Sequence, residues 1–356
     1  MKKTLALLLA LSLVFALCAC ASTEPASAPE SAAPQAEQTP AETQQPEEAP
    51  SAPADNYPAE IINVVIPTDE GGAVDRAVQA FTSVWSKKLN ATFQRSFYPG
   101  ANGQVGYEYF VATEPDGYNL LCNNIGPDML MYSLQNPSYD FPGDYVYFAA
   151  MDSDPCVIWV SKDSPFNSID DLIAEAKTRT VTIATSRYPH PATLACLLLA
   201  EQTGADFNII PYGGGSATRN AGITGEVDAV TTQLSSSSDL LSEVKVLILF
   251  NDTNDWPEQS QNAPVPSDKG WSIPAMGVNR AWAVSTKFIE TYPERYALLV
   301  RTFEEAMSDP EVLTAFEAAG MDPTTIGYLD RDAAMKIAEN TLAMANEYTE
   351  VLSGGK

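Results

Sequence analysis

The sequence predicts a two-lobed α/β protein, and three observations carry that prediction. From about residue 58 onward, short β-branched runs alternate with amphipathic helical stretches, the pattern of a parallel or mixed sheet with helices on both faces. The alternation comes as two series, the second inserted into the first, which suits two lobes with a cleft and a hinge. The stretch from Pro58 to Lys356 is of a length that can bury roughly three quarters of its unfolded surface and usually divides into two compact parts.

The elements follow in order. Ile61–Ile66 (IINVVI) reads as a buried strand. Ala73 to Leu89 reads as a helix with Val74, Ala77, Val78, Phe81, Val84, Trp85 and Leu89 on one stripe. Thr92–Ser96, Tyr118–Asn123, Val146–Met151 and Val157–Ser161 read as strands. Ser168-Ile169-Asp170-Asp171 resembles a capping box ahead of Leu172, Ile173 and Ala176. Val181–Ser186 is then a strand, and Ala192 to Gln202 a helix closed by Gly204. Phe207–Tyr212, Val227–Gln233 and Lys245–Phe250 follow as strands, and Ala281–Ser285 is expected to be the last one. Three helices finish the chain, at about Pro293–Ser308, Pro310–Ala319 and Asp330–Leu352.

The front of the chain has a different character. Met1-Lys2-Lys3 precedes an apolar run from Leu5 to Leu17 and then Cys18-Ala19-Cys20. A positive start, a short apolar core and small residues near a cut site describe a secretory signal, here residues 1–19. The run is too short to span a bilayer core of roughly 30 Å. The residues before Cys20 resemble a bacterial lipobox, which implies a diacylglyceryl anchor on Cys20; Cys18 fits less well because Leu17 precedes it. Residues 20–57 form an acidic Pro/Ala/Glu segment with Glu24, Glu30, Glu37, Glu42, Glu47, Glu48 and Asp55 and no Lys or Arg. Such a segment buries too little apolar surface to offset its ordering entropy, and is expected to be a disordered stalk. The protein is thus expected outside the cytoplasm, held to the outer face of the membrane.

Composition excludes several roles. The formal net charge of −26 argues against nucleic acid and against adhesion to anionic lipid by charge, so the bilayer is touched through Cys20 only. A single histidine, His190, excludes most catalytic triads and metal clusters. Gly214-Gly215-Ser216-Ala217-Thr218 misses the nucleophile elbow, which needs Gly where Thr218 stands, and there is no Walker sequence. Catalytic residues, metals and cofactors are therefore expected to be none. Beyond Cys18 and Cys20, the cysteines Cys122, Cys156 and Cys196 are widely spaced and read as small core residues, with one disulfide among them left open.

In doubly wound sheets, ligands sit at the carboxyl ends of strands against helix N-termini. Three joints of that kind stand out. The first runs Pro67-Thr68-Asp69-Glu70-Gly71-Gly72 into a helix that carries Asp75; Gly71 and Gly72 would turn backbone N–H groups toward an anion. The second runs Ser186-Arg187-Tyr188-Pro189-His190-Pro191-Ala192-Thr193, and the third Tyr212-Gly213-Gly214-Gly215. Candidate ligand-binding residues are Thr68, Glu70, Gly71, Gly72, Asp75, Asn124, Ser186, Arg187, Tyr188, His190, Thr193, Tyr212, Gly214 and Gly215. Arg187 could give a bidentate partner to a carboxylate or be a solvated rim residue. Asp69 and Glu70 could cap the first helix or favour a ligand bearing an amine. Arg219 reads as structural.

These joints resemble those of the substrate-binding proteins of tripartite tricarboxylate transporters, the TctC/Bug family. The matching segments are VIPTDEGGAVD (Val65 to Asp75), SFYPGANGQVG (Ser96 to Gly106), Pro115-Asp116-Gly117-Tyr118-Asn119-Leu120-Leu121, IPYGGGSATRNAGITGEVD (Ile210 to Asp228) and Asp309-Pro310-Glu311-Val312 through Gly320 and Pro323. They occur in order over nearly the whole body. The resemblance implies a Venus-flytrap, periplasmic-binding-protein fold with two crossovers, lobe one at 58–158 plus 280–356 and lobe two at 159–279. It implies a monomer that captures a small carboxylate, such as a di- or tricarboxylate, through backbone N–H groups and ordered waters, and hands it to membrane permease subunits. The chain departs from the family pattern at Thr68, Glu70, Arg187, Tyr188, His190, Thr193 and Gly213, so the ligand does not carry over. Alternatives are an amino-acid-type ligand, or a sensory or adhesive surface lipoprotein without a transport role.

Overall fold

A computed structural model describes residues 56–353. The expected signal, Cys20 and the stalk up to residue 55 lie outside the described residues. Tyr57 already belongs to the body: it is buried, and its hydroxyl donates to the Gly117 carbonyl at 2.7 Å.

The chain opens with β1 (Ile62–Ile66), α1 (Ala73–Leu89), β2 (Phe93–Phe97), α2 (Gln104–Val111), β3 (Asn119–Asn124), α3 (Ile125–Gln135) and β4 (Tyr145–Asp152). It then runs through β5 (Asp154–Ser161), α4 (Ile169–Ala176), β6 (Val181–Thr185), α5 (Pro191–Thr203), β7 (Phe207–Pro211), α6 (Gly215–Ile223), β8 (Ala229–Gln233), β9 (Val244–Phe250) and β10 (Gly277–Val278). It closes with β11 (Arg280–Ser285), α7 (Thr286–Thr291), α8 (Pro293–Met307), α9 (Pro310–Ala318), β12 (Ile326–Leu329), α10 (Arg331–Glu347) and α11 (Thr349–Leu352).

Two mixed sheets result. The first has the order β12-β4-β11-β3-β1-β2, with β1 parallel to β2 and β3 and with β11 antiparallel to β3 and β4. The second has the order β10-β5-β8-β6-β7, with β9 also on β5 and β6 parallel to β7 and β8. The chain changes sheet at Ser153, between β4 and β5, and returns at Asn279, between β10 and β11. This is the two-lobed α/β architecture that the alternation of patterns predicts.

Both sheets are covered on both faces, which is why the central strands β1, β4 and β5 are buried almost throughout. On one face of the first sheet, α1, α8 and α9 pack Phe81, Trp85 and Phe303 against Trp282. The indole N–H of Trp85 finds Thr302 Oγ1 at 3.0 Å, so its polar end is satisfied in the core. The other face takes Tyr107 and Phe110 from α2, Met129 from α3 and Ala334 and Ala338 from α10. The second sheet packs α4 and α5 on one side and α6 with Ala263 and Val265 on the other. Ala345 and Leu352, from α10 and α11, join the core of this second sheet. Cys122, Cys156 and Cys196 are free and buried.

Helix α1 spans the predicted residues because its stripe is buried and Asn90 closes it in the left-handed region at φ 55°. The capping box at Ser168 forms as read, with Ser168 Oγ accepting from the Asp171 N–H and Asp171 accepting from the Ser168 N–H. Two expectations are corrected. Ala281–Ser285 lies within β11, but β12 follows it and pairs with β4; Ile326–Leu329 (IGYL) is only four residues long and carries Gly327, too short a run to announce a strand. The single terminal helix breaks at Tyr348 into α10 and α11. Helices α2 and α3 have no counterpart in the sequence reading. Gly126 and Pro127 sit in the first turn of α3, where Pro is tolerated because its missing N–H has no helical partner there.

Candidate ligand site between the lobes

Parallel strands β1, β2 and β3 end their carboxyl sides together, and so do β6, β7 and β8 in the second sheet. The loops that leave these ends meet. In the first lobe, Gly103 sits beside Pro67 and Asn123: a Cβ there would lie 3.4 Å from the Pro67 carbonyl and 3.7 Å from Asn123 Nδ2, in ordinary contact. Its φ of +105° is what selects glycine there. Across the gap, a Cβ on Gly126 would come within 2.6 Å of the Gly277 carbonyl and 2.7 Å of Pro191, the first residue of α5. The start of α3 therefore abuts the start of α5.

Arg187, in the loop after β6, spans this gap. Its Nη1 donates to the Asn102 carbonyl at 2.9 Å, and its Nη2 lies 3.7 Å from Asp128 Oδ1. That second distance is an ion pair and too long for a hydrogen bond. The Arg187 side chain is 16% exposed and Asp128 is fully buried. Burial lowers the guanidinium pKa, and Asp128 partly offsets that fall. Two threonines fix the loop that holds Arg187: Thr185 and Thr193 each place Oγ1 3.3 Å from the Arg187 carbonyl.

Asp128 sits in a buried polar knot. Its Oδ1 accepts from Asn123 Nδ2 at 2.8 Å and its Oδ2 from the Tyr107 hydroxyl, which in turn lies 2.9 Å from the Tyr147 hydroxyl. Burial pushes the Asp128 carboxyl up to about 7, against the pull of Arg187 and Tyr107 toward the ionised form. Because Asn123 must turn its amide nitrogen to this carboxylate, its oxygen faces away. Asn123 Oδ1, Asn124 Oδ1 and Thr68 Oγ1 are all buried with no partner among the described residues.

The other candidates are placed as follows. Gly71 has φ +76°, and its N–H is taken by Asp75 Oδ2 at 2.8 Å; the Gly72 N–H is taken by the Asp69 carbonyl at 3.2 Å. Asp75 is buried and also paired with Arg95, so it braces the first loop. Glu70 is exposed and shares an outer groove with Phe93 and Arg95 at the edge strand β2. His190 is buried and caps α5, its Nδ1 accepting from the Ala192 N–H at 3.1 Å. Burial, with Arg187 beside it, lowers its pKa to about 3 and keeps it neutral. Ser186 and Tyr188 flank Arg187 and are half-buried. Tyr212 donates to Glu226 at 3.0 Å, and Gly214 and Gly215 open α6 on an exposed corner. Arg219 forms a two-pronged pair with Asp239 at 2.7 and 2.8 Å, as a structural residue would.

Asn102, Tyr107, Asn123, Asp128 and Tyr147 are not among the site residues that the sequence suggests. Only Asp128 left a trace, as a lone acid in the apolar run of α3. A second opening, a groove of about 940 Å³, lies behind the crossovers between Pro274–Asn279 and α10. It is remote from the Gly71 and Gly214 turns in its lining. Among the described residues no group of His, Cys, Asp and Glu could hold a metal ion.

The crossovers carry their own charged set. Arg280 is buried, pairs through Nη1 with Asp152 and lies 3.7 Å from Asp154 through Nη2. Asp154 accepts from the N–H of Ser235 at 2.9 Å and from its hydroxyl. The Asn279 amide donates to the Asp152 carbonyl at 2.8 Å and lies 3.2 Å from Ser153 Oγ.

Similarity to known proteins agrees with this architecture. The family model described as tripartite tricarboxylate transporter family receptor, TctC, matches residues 79–348. The BugT protein of Bordetella pertussis is 26% identical over 274 residues, covering 76% of this chain and 83% of BugT. A protein from the TAR-I ttuE-ttuC' intergenic region of Agrobacterium vitis is 23% identical, covering 76% and 78%. Among solved structures, an R. palustris protein with adipate aligns at TM-score 0.72 and 19% identity over 84% of this chain and 99% of its own. MatC from Rhodopseudomonas palustris with bound malate aligns at TM-score 0.69 and 18% identity over 83% and 100%. The match runs from within α1 through most of both sheets to the end of α10, so the chain belongs to the TctC family of tripartite tricarboxylate transporter receptors and is a solute-binding protein, not an enzyme.

Proposed function

We propose that the chain captures a small organic carboxylate outside the cytoplasm and delivers it to the membrane permease subunits of a tripartite transporter. One observation carries the ligand class: a guanidinium held between the lobes at the strand ends, with Asn102 as its hydrogen-bond acceptor and no hydrogen-bonded counter-ion among the described residues. A carboxylate answers that need with two parallel bonds. Two structural neighbours solved with adipate and malate support the same class. The ligand residues proposed are Arg187, Thr68, Asn124, Ser186 and Tyr188, with Asn123 added. Thr193, Asp75 and His190 hold the loops. Gly71, Gly72, Tyr212, Gly214 and Gly215 are assigned to the approach, and Glu70 to the outer groove at β2. The unpartnered amide oxygens of Asn123 and Asn124 accept only and favour an acid that also carries a hydroxyl or an ammonium group, while the Thr68 hydroxyl can donate to a carboxylate or accept.

The lipidated Cys20 and the acidic stalk would tether a monomeric receptor to the outer face of the membrane. Thermal shift against mono-, di- and tricarboxylates, hydroxy acids and amino acids tests the capture role. A ligand at about a hundredfold over its Kd should add about 2.7 kcal/mol of stability. A panel that leaves the melting temperature unmoved refutes it.

A further inference from the structure

Arg187 and Asp128 face each other from different lobes, and neither satisfies the other. Asp128 spends its two oxygens on Asn123 and Tyr107, and Arg187 spends one N–H on Asn102. Their 3.7 Å separation leaves charge without a shared hydrogen bond. Arg187 remains 16% exposed, so a small anion can reach it, whereas Asp128 is sealed.

The first-lobe side chains that bond Asp128 or act on it electrostatically are neutral. α2 brings Tyr107, β4 brings Tyr145 and Tyr147, the loop before β4 brings Tyr139, β3 brings Cys122 and Asn123, and α10 brings Ala334 and Ala338. Burial holds the three tyrosines Tyr107, Tyr145 and Tyr147 well above their ordinary range, and it holds the Cys122 thiol up as well, so none carries charge near neutrality. His190, beside Arg187, is neutral too. Arg187 is therefore the one cation facing Asp128 among these neighbours.

We propose that Asp128 is the resident counter-ion of Arg187, and that an arriving carboxylate takes over the guanidinium while Asp128 picks up a proton from solvent, so that capture of the acid and uptake of one proton are a single coupled event. This rests on the capture reading above and deepens it. The ligand carboxylate gains the unused N–H groups of the fork. Asp128, having lost its cation, would otherwise stand charged and unpaired in an apolar surround, which is far costlier than protonation. Protonated Asp128 still bonds Asn123 and Tyr107, since the phenol and the carboxyl can exchange donor and acceptor roles. Counting only the carboxylate that sits on Arg187, the charge of the pair is balanced before and after filling.

The test uses the full-length protein with succinate, malate, adipate and glutamate as probes. Any probe that raises the melting temperature goes to titration calorimetry in HEPES, PIPES and Tris at about pH 7.5, where buffers of different ionisation enthalpy report proton uptake. The expected result is uptake approaching one proton per ligand, and a Kd that weakens by up to about tenfold per pH unit above neutrality. Asp128→Asn should still bind, with uptake near zero and a flat pH profile. Arg187→Met should lose at least about tenfold in affinity. If that variant does not fold, Arg187→Lys, which keeps the charge but not the fork, should lose affinity while keeping proton uptake. Without any ligand, infrared titration should show the protonated-carboxyl band of Asp128 persisting to higher pH in Arg187→Met than in the wild type. Binding with no proton uptake, or uptake unchanged in Asp128→Asn, overturns the exchange and leaves the capture role standing. No response to any probe overturns both.

Discussion

Replacing Asp128 by Asn should change how stability depends on pH, by an amount the structure sets. Asp128 is fully buried, and burial lifts its carboxyl from 3.8 to about 7. Its folded pKa lies above its unfolded one, so between these values the native state holds more protons than the unfolded chain. Stability then falls as pH rises through that window, and the loss is complete above about pH 7. At 1.36 kcal/mol per pKa unit, the rise of about three units amounts to about 4 kcal/mol, an upper figure for a buried pair. The Asn variant cannot charge and should not show this loss. Urea unfolding of both proteins at intervals from about pH 4 to about pH 8 gives the comparison. The difference in unfolding free energy, variant minus wild type, should grow by several kcal/mol in the variant's favour toward high pH. Taking the difference matters, because Asp154 is also lifted to about 7 and His190 runs the opposite way. Two pH profiles that run parallel to within about 1 kcal/mol would refute the account of a carboxylate kept costly by burial.

Two further outcomes follow from the same geometry. Arg280→Met should destabilise by about 3–5 kcal/mol, because it leaves Asp152 buried without its guanidinium; a urea midpoint equivalent to less than about 1 kcal/mol of change would place the pair outside the folding energetics. His190→Ala should cost about 1 kcal/mol through loss of the α5 cap, while His190→Asn should retain it. Because the folded His190 pKa is depressed to about 3, its neutral form contributes stability above about pH 6.5 that is lost on acidification, and both variants should show a shallower acid loss in a pH series of melting curves. A wild-type acid limb in His190→Asn would refute this.

The parts of the fold that the sequence made legible are those with local causes. The stripe of α1, the Ser168 capping box and the β-branched strands β1, β5 and β6 write their period into consecutive residues. α3 does not, because Gly126 and Pro127 stand in its first turn, and Gly126 is there for a tertiary reason, the close approach of Gly277 and Pro191 from the other lobe. The site divides the same way. Arg187 was visible as an unusual cation at a strand end, and the structure sets it in the gap. The glycine pair Gly71-Gly72 promised open amide donors, yet the loop consumes both N–H groups internally. Asp128 is defined by residues from α2, β3, β4 and the opposite lobe, and no window of sequence holds those together.

The amide of Asn279 spans from one connecting strand to the other, gripping Asp152 and Ser153 just where both strands leave the first sheet. Two straps riveted at one point cannot slide past each other. A swing of the halves that kept this rivet would pivot close to it, and labels on the Asn102 and Arg187 loops would report its extent. Cutting the rivet with Asn279→Ala would free the straps to shear, and would turn one well-defined travel into many.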